Sequence, residues 1–141
     1  MSHPTATTLT LVIERVFPHP PEKLWRALTE SSLLAQWMMK NNFEPVVGHR
    51  FQFHSDPTSD WKYVLNCKVL VVDPPLRLSY TWSPSADGPE MVVLLTLTPA
   101  DGGTRLRMEQ SGIPDEQGKN WTDYSWQNFL GGMEKVLAGL Q

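Results

Sequence analysis

SWQNFLGGMEKVL, Ser125–Leu137, decides how the rest of this 141-residue chain is read. Trp126, Leu130, Met133 and Leu137 recur at steps of four, three and four, so they share one side of a helix. Asn120 is the expected N-cap, Asp123 suits the positive first turn, and the periodicity runs on to about Leu140. Twenty residues at 1.5 Å each span roughly 30 Å. Two adjacent glycines, Gly131 and Gly132, interrupt this helix, each costing about 1 kcal/mol against alanine. They would permit a close backbone approach at one crossing, or let the helix bend over a hollow.

Upstream of that helix the pattern is mostly period two. Leu9–Phe17 (LTLVIERVF) reads as a first strand. PHPPEKLWRALTE then gives a short helix, its prolines placed where a missing N–H does no harm. Ser31 or Ser32 opens a second short helix, with Leu33, Leu34, Trp37 and Met38 as its apolar set. Five strands follow: HRFQFH, WKYVLNCKVLVVD, LRLSYTW, MVVLLTLTP and TRLRMEQS. In the third of these, Leu76, Leu78, Tyr80 and Trp82 share one face and Arg77, Ser79 and Thr81 the other. ADGG between the last two is a hairpin signal, because both dipeptides tolerate positive φ. Successive strands joined by short turns favour an antiparallel meander. A sheet with one apolar face needs a cover, and only the final helix is long enough. The expected order is β-α-α-β-β-β-β-β-α in one α+β domain, residues 1–141, with residues 1–7 as a tail.

Composition bounds the function. The net charge is −3, from 12 basic and 15 acidic residues of interspersed sign. That excludes the basic stripe of a nucleic-acid binder and a polybasic membrane anchor. No run approaches the ~20 apolar residues of a membrane span. A lone cysteine, Cys67, and an opening MSHPTATTLT without a basic-then-apolar leader lead to a cytoplasmic expectation. Asn120-Trp121-Thr122 matches a glycosylation triplet, which in that compartment is coincidence.

HPPEKLWRALTESSLLAQWM, GHRFQF, VVDPPLRLSYTW, LTLTPADGGTRLRMEQSG and SWQNFLGGMEKVL, in this order, resemble the activator of heat-shock-protein-90 ATPase homologues within the START-like (SRPBCC) superfamily. The resemblance spans Phe17 to Leu137. It implies a helix-grip fold, here a six-stranded curved antiparallel sheet around the long C-terminal helix, an arrangement that often leaves a cavity between them. The family's pattern often has an acid where Val71 stands, a glycine near Cys67 and a glycine at Ser125. Any chemistry tied to that acid is absent here, and the cavity would be more apolar.

Catalytic and metal signals are weak. Of His3, His19, His49 and His54, the last two are five apart and point to opposite faces of one strand. No HExxH or Cys/His cluster occurs, so neither a metal nor another cofactor is expected. Cys67 lies mid-strand, where a buried, inert thiol is usual. Asp56 and Asp60 flank a Pro/Ser loop that they would cap. Glu14, in phase with Val12 and Val16, is read as lying at a solvated edge.

The remaining signal is aromatic. Phe51, Phe53, Tyr63, Tyr80, Trp82, Met91, Met108 and Trp126 would face one interior, where Tyr80 brings a hydroxyl and Gln110 an amide. Buried polar groups require partners. The expected function is therefore a non-catalytic module binding a small apolar or aromatic molecule, lined by Tyr63, Tyr80, Trp82, Met108, Gln110 and Trp126. Tyr80 and Gln110 would orient its polar end. Two alternatives follow from the resemblance: a chaperone-binding role, and a cyclase or hydrolase of aromatic polyketides relying on Gln110, Tyr80 or Glu14. Monomer and homodimer both remain open.

Overall fold

Five successive hairpin-like pairings build the scaffold, in a computed structural model that describes residues 8–54, 64–84 and 90–140. The expected tail, His3, Asp56, Asp60 and the candidate lining residue Tyr63 lie outside those residues. The chain runs β1 (Leu9–Phe17), α1 (Pro21–Thr29), α2 (Ser31–Trp37), β2 (Lys40–Asn41), β3 (Arg50–His54), β4 (Val64–Asp73), β5 (Arg77–Trp82), β6 (Met91–Ala100), β7 (Gly103–Ile113) and α3 (Glu116–Gly139). All strands join one antiparallel sheet of order β1-β7-β6-β5-β4-β3-β2. The first strand thus closes against the last, and consecutive strands fill the space between.

The sheet has seven strands where six were expected. The extra one, β2, is two residues long and carries no periodicity of its own. Asn41 makes it. Its side chain accepts from Ser31 Oγ at 2.8 Å and from the Phe43 N–H at 3.0 Å, and donates to the Ser31 carbonyl at 3.2 Å. These bonds tie the start of α2 to the sheet edge and seat Phe43 in the core, 3% exposed.

Alternation puts one apolar row after another on the inner face. Leu11, Gln110, Val93, Tyr80 and Val69 are linked partner to partner across five strands, and Ile13, Met108, Leu95 and Leu78 form the next row. The β4–β5 register slips at Leu70 and the β1–β7 register near Thr10. Such bulges sharpen local bend and twist, which is how a sheet curls around a helix. Leu76 departs from the expected pattern: it lies in the turn before β5, its N–H donating to the Asp73 carbonyl at 2.7 Å, and is half exposed. Ser79 and Thr81 point to the outer face and are nonetheless buried. Ser79 Oγ donates to the Val93 carbonyl, and Thr81 Oγ1 accepts from the Lys68 N–H, both at 2.8 Å.

Helix α3 lies across the inner face and buries Trp126, Leu130, Met133 and Leu137. It begins four residues before the expected Asn120 cap. Asp115, extended after Pro114, accepts from the Gly118 N–H at 2.8 Å and caps the helix itself. With 24 residues α3 is about 36 Å long. Against it pack α1 and α2, joined by Trp37, whose indole N–H donates to the Ala27 carbonyl at 2.8 Å.

Gly132 meets α2 rather than a strand. A Cβ there would stand 3.5 Å from Trp37 Cβ, ordinary contact, while a Cβ on Gly131 would meet nothing within 4 Å. Gly103, after the hairpin turn in which Gly102 has φ 78°, is different. Its Cβ would fall inside the Phe17 carbonyl.

Gly131→Ala is therefore expected to raise stability by about 1 kcal/mol, through helix propensity alone. Gly103→Ala should cost ~1–3 kcal/mol, because the β1 end must move. Urea unfolding midpoints of the two variants measure both. Destabilisation by Gly131→Ala would mean that the helix needs that flexibility.

Candidate functional site

The inner face is packed with rings. Phe43, Phe51, Phe53 and Tyr80 form an edge-on cluster, with Phe51 centroids 5.0 Å from Phe43, 5.3 Å from Phe53 and 5.4 Å from Tyr80. Trp82 continues it from Tyr80 at 6.4 Å and reaches Trp126 of α3 at 5.6 Å. Trp126 in turn lies 6.5 Å from Trp37 and 5.8 Å from Phe129. Aromatic neighbours at 4.5–7 Å in tilted or edge-on poses add about 0.5–1.5 kcal/mol each beyond area burial.

At the Trp126 end this packing leaves a pocket of about 320 Å³, between the first half of α3 and the adjoining ends of β5 and β6. Trp82 and Met91, paired across β5 and β6, form the sheet side. Trp121, Tyr124, Ser125, Trp126, Asn128 and Phe129 form the helix side, with Met39 and Pro84 at the rim. Trp126 is fully buried, whereas Trp121 and Tyr124 are 53% and 63% exposed and stack on each other at 5.9 Å. The walls deepen from solvent to core along one helix.

Polar groups at the pocket are few. Thr122 Oγ1 donates to the Gly118 carbonyl at 2.7 Å, and Asn128 Nδ2 to the Tyr124 carbonyl at 3.0 Å. Among the described residues, no carboxylate, imidazole, thiol, ammonium or guanidinium lines it. No group of three His, Cys, Asp or Glu among them could hold a metal ion.

The structure brings two of the expected site residues to this pocket, Trp82 and Trp126. Tyr80, Met108 and Gln110 are fully buried behind it. Gln110 Oε1 accepts from the Trp126 indole N–H at 2.8 Å, and its Nε2 donates to Met91 Sδ at 3.3 Å. Both amide ends thus meet protein groups, and both partners are pocket walls. Glu14 lies on the outer face, half exposed, with Arg105 at 3.8 Å. Trp121, Tyr124 and Asn128 were not foreseen. Their spacing of three and four is a second helical stripe beside the buried one, and all three fall inside the helix expected from Asn120.

Burial pushes the Cys67 thiol well above its usual pKa, and burial, with a smaller part from Cys67, pushes the Tyr80 hydroxyl up too. Both stay protonated and neutral in the folded protein, so neither supplies a ready nucleophile at neutral pH.

Sequence and fold both place the chain among known proteins. The sequence profile of the "Activator of Hsp90 ATPase homolog 1-like protein" family matches residues 18–138. Protein MLL2253 from Mesorhizobium loti is 44% identical, with a TM-score of 0.85 over 94% of this chain and 99% of that one. A Rhodobacter sphaeroides protein is 26% identical, with a TM-score of 0.79 over 97% and 95%. DynU16, from the dynemicin biosynthetic locus, shares the fold at 23% identity and a TM-score of 0.81, over 96% of this chain and 48% of its own. No curated protein matches.

The two raised pKa values carry a sign. Below about pH 9 both groups are protonated folded and unfolded alike, and stability is unaffected. Above it the unfolded chain ionises first, so stability falls as pH rises, more steeply past pH 10 where tyrosine joins. Urea midpoints from pH 7 to 11 should show this decline, flattened by Cys67→Ala and Tyr80→Phe together. An unchanged slope in that double variant would contradict it.

Proposed function

The chain belongs to the Activator of Hsp90 ATPase homolog 1-like family, and on that premise we propose that it is a non-catalytic module holding a small apolar or aromatic molecule. The observation that carries this reading is the pocket between α3 and the β5–β6 end, about 320 Å³ and walled by five aromatic rings. Small-molecule sites span ~300–1,000 Å³, mostly apolar with a few polar groups, so this one suits a compact ligand. Transfer of apolar surface out of water supplies the affinity, at about 25 cal/mol per Å². Trp82 and Trp126 give the inner wall, and Tyr80, Met108 and Gln110 support them from behind. The polar end of a ligand would face Ser125, Asn128 and the mouth.

An enzyme needs an acid, base or nucleophile within hydrogen-bond reach of its substrate. Among the described lining residues only the Tyr124 phenol and the Ser125 and Thr122 hydroxyls are candidates, and Thr122 is already bonded to its own helix. The likeness to DynU16 carries the fold alone. The family description also supports a second reading, contact with a heat-shock-protein-90-type chaperone, for which exposed Trp121 and Tyr124 offer the apolar surface. An unchanged chaperone ATPase rate in the presence of this protein removes that reading.

Titration with the neutral fluorophore N-phenyl-1-naphthylamine tests the first reading. A Kd on the order of 10–100 µM is expected, from about 0.3–0.4 kcal/mol per heavy atom. Trp121→Ala should weaken it roughly two- to tenfold, the value of one stacking contact. The urea midpoint of the same variant separates lost binding from lost fold. Absence of saturable binding, or an unaffected Kd in Trp121→Ala, counts against the pocket.

A further inference from the structure

Among the described residues Gln110 is the one buried amide of the inner face, and its two ends hold two different walls of the pocket. Oε1 takes the Trp126 indole N–H from α3, and Nε2 reaches the Met91 sulfur from the sheet. In the β-ladder Gln110 stands opposite Val93 on one side and Leu11 on the other, all three buried. Its own position is thus fixed by the centre of the sheet. Trp126 is the floor of the pocket, and Trp82, 5.6 Å from it, links that floor to the ring cluster of Tyr80, Phe51 and Phe53. An indole can turn about two side-chain bonds, and among apolar neighbours alone several poses would be close in energy. A buried hydrogen bond selects one of them, because every other pose leaves the amide oxygen and the indole N–H unpaired.

Resting on the ligand-binding reading above, we infer that Gln110 is the positioning residue that sets the depth of this pocket. Its ligand class is accordingly a compact, flat molecule held above the Trp126 floor, against Trp121 and Tyr124 at the mouth. An elongated chain threaded into the sheet–helix interior is refused. Gln110 touches no ligand in this arrangement. It acts through Trp126 and Met91, holding the floor up and the sheet wall in.

Two uncharged fluorophores separate the outcomes: compact N-phenyl-1-naphthylamine and rod-shaped 1,6-diphenylhexatriene. Wild-type protein should prefer the compact probe roughly tenfold. Gln110→Met keeps the volume and drops the bond to the indole; Trp126→Phe drops the same bond from the other side. Each should weaken the compact probe roughly two- to tenfold, the worth of one hydrogen bond, and lose the discrimination against the rod. The double variant should lose less than the two single losses combined, since both remove the Trp126–Gln110 bond.

A merely structural role would lower the unfolding midpoint and leave probe preference intact, and that result overturns the inference. Additive losses in the double variant overturn it as well. Wild-type protein that binds neither probe removes the binding function itself, and the inference with it. Wild-type binding with unchanged preference in the variants removes the inference alone. One readout needs no variant. The Trp126 indole N–H resonance should shift when the compact probe is added and remain slow to exchange with solvent; fast exchange in the complex means the bond opens on binding, against the proposal.

Discussion

The burial of one apolar sheet face under a single helix is the constraint on which everything else depends. Seven strands expose a concave row of Leu, Val, Met and aromatic side chains, and α3 covers it with Trp126, Leu130, Met133 and Leu137. Each such side chain, fully buried, is worth on the order of 1.5–3 kcal/mol. No surface salt bridge competes with that. Arg105–Glu14 and Arg107–Glu109 are exposed pairs on the outer face, of a kind that contributes ~0–1 kcal/mol. Hydrophobic coverage therefore holds the sheet and helix together, and the polar contacts choose the geometry within it.

One helix cannot follow a bent sheet equally well along its whole length. In its second half α3 is pressed between strands and the short helices, with Gly132 against Trp37. In its first half the neighbouring sheet ends at Trp82 and Met91, and a pocket opens. The glycine pair thus belongs to the tight end, and the hollow is at the other. Gly132 suits a helix–helix approach that alanine would also fit, and Gly131 has open space before it. The structure gives no reason for a glycine at position 131.

A chain of rings joins the two ends of the interior, and the Trp126–Gln110 bond stands where it meets the pocket. Removing one partner of a buried pair leaves the other unsatisfied, at a cost of about 1–3 kcal/mol. Gln110 bonds to two pocket walls, Trp126 and Met91, so stability and pocket shape are coupled there.

Alternation and helical spacing determined the elements, because side-chain direction along a strand or helix is a property of local geometry. Leu9–Phe17, the β5–β7 meander and the buried stripe of α3 were legible on that ground, and the resemblance in ordered segments supplied the curved sheet around the helix. Strand β2 was illegible, since two residues carry no period and Asn41 is held by Ser31, ten positions away. The start of α3 depended on which of two capping residues, Asp115 or Asn120, found a free N–H. The sequence also placed Tyr80, Met108, Gln110, Trp82 and Trp126 on one interior. Which of them line the pocket was decided only in three dimensions. Gln110 reads as a pocket amide until Trp126, sixteen residues on, is brought within 2.8 Å by the docking of α3. Hydrogen-bond partners across a core are set by how elements pack, and no period in the chain encodes that distance.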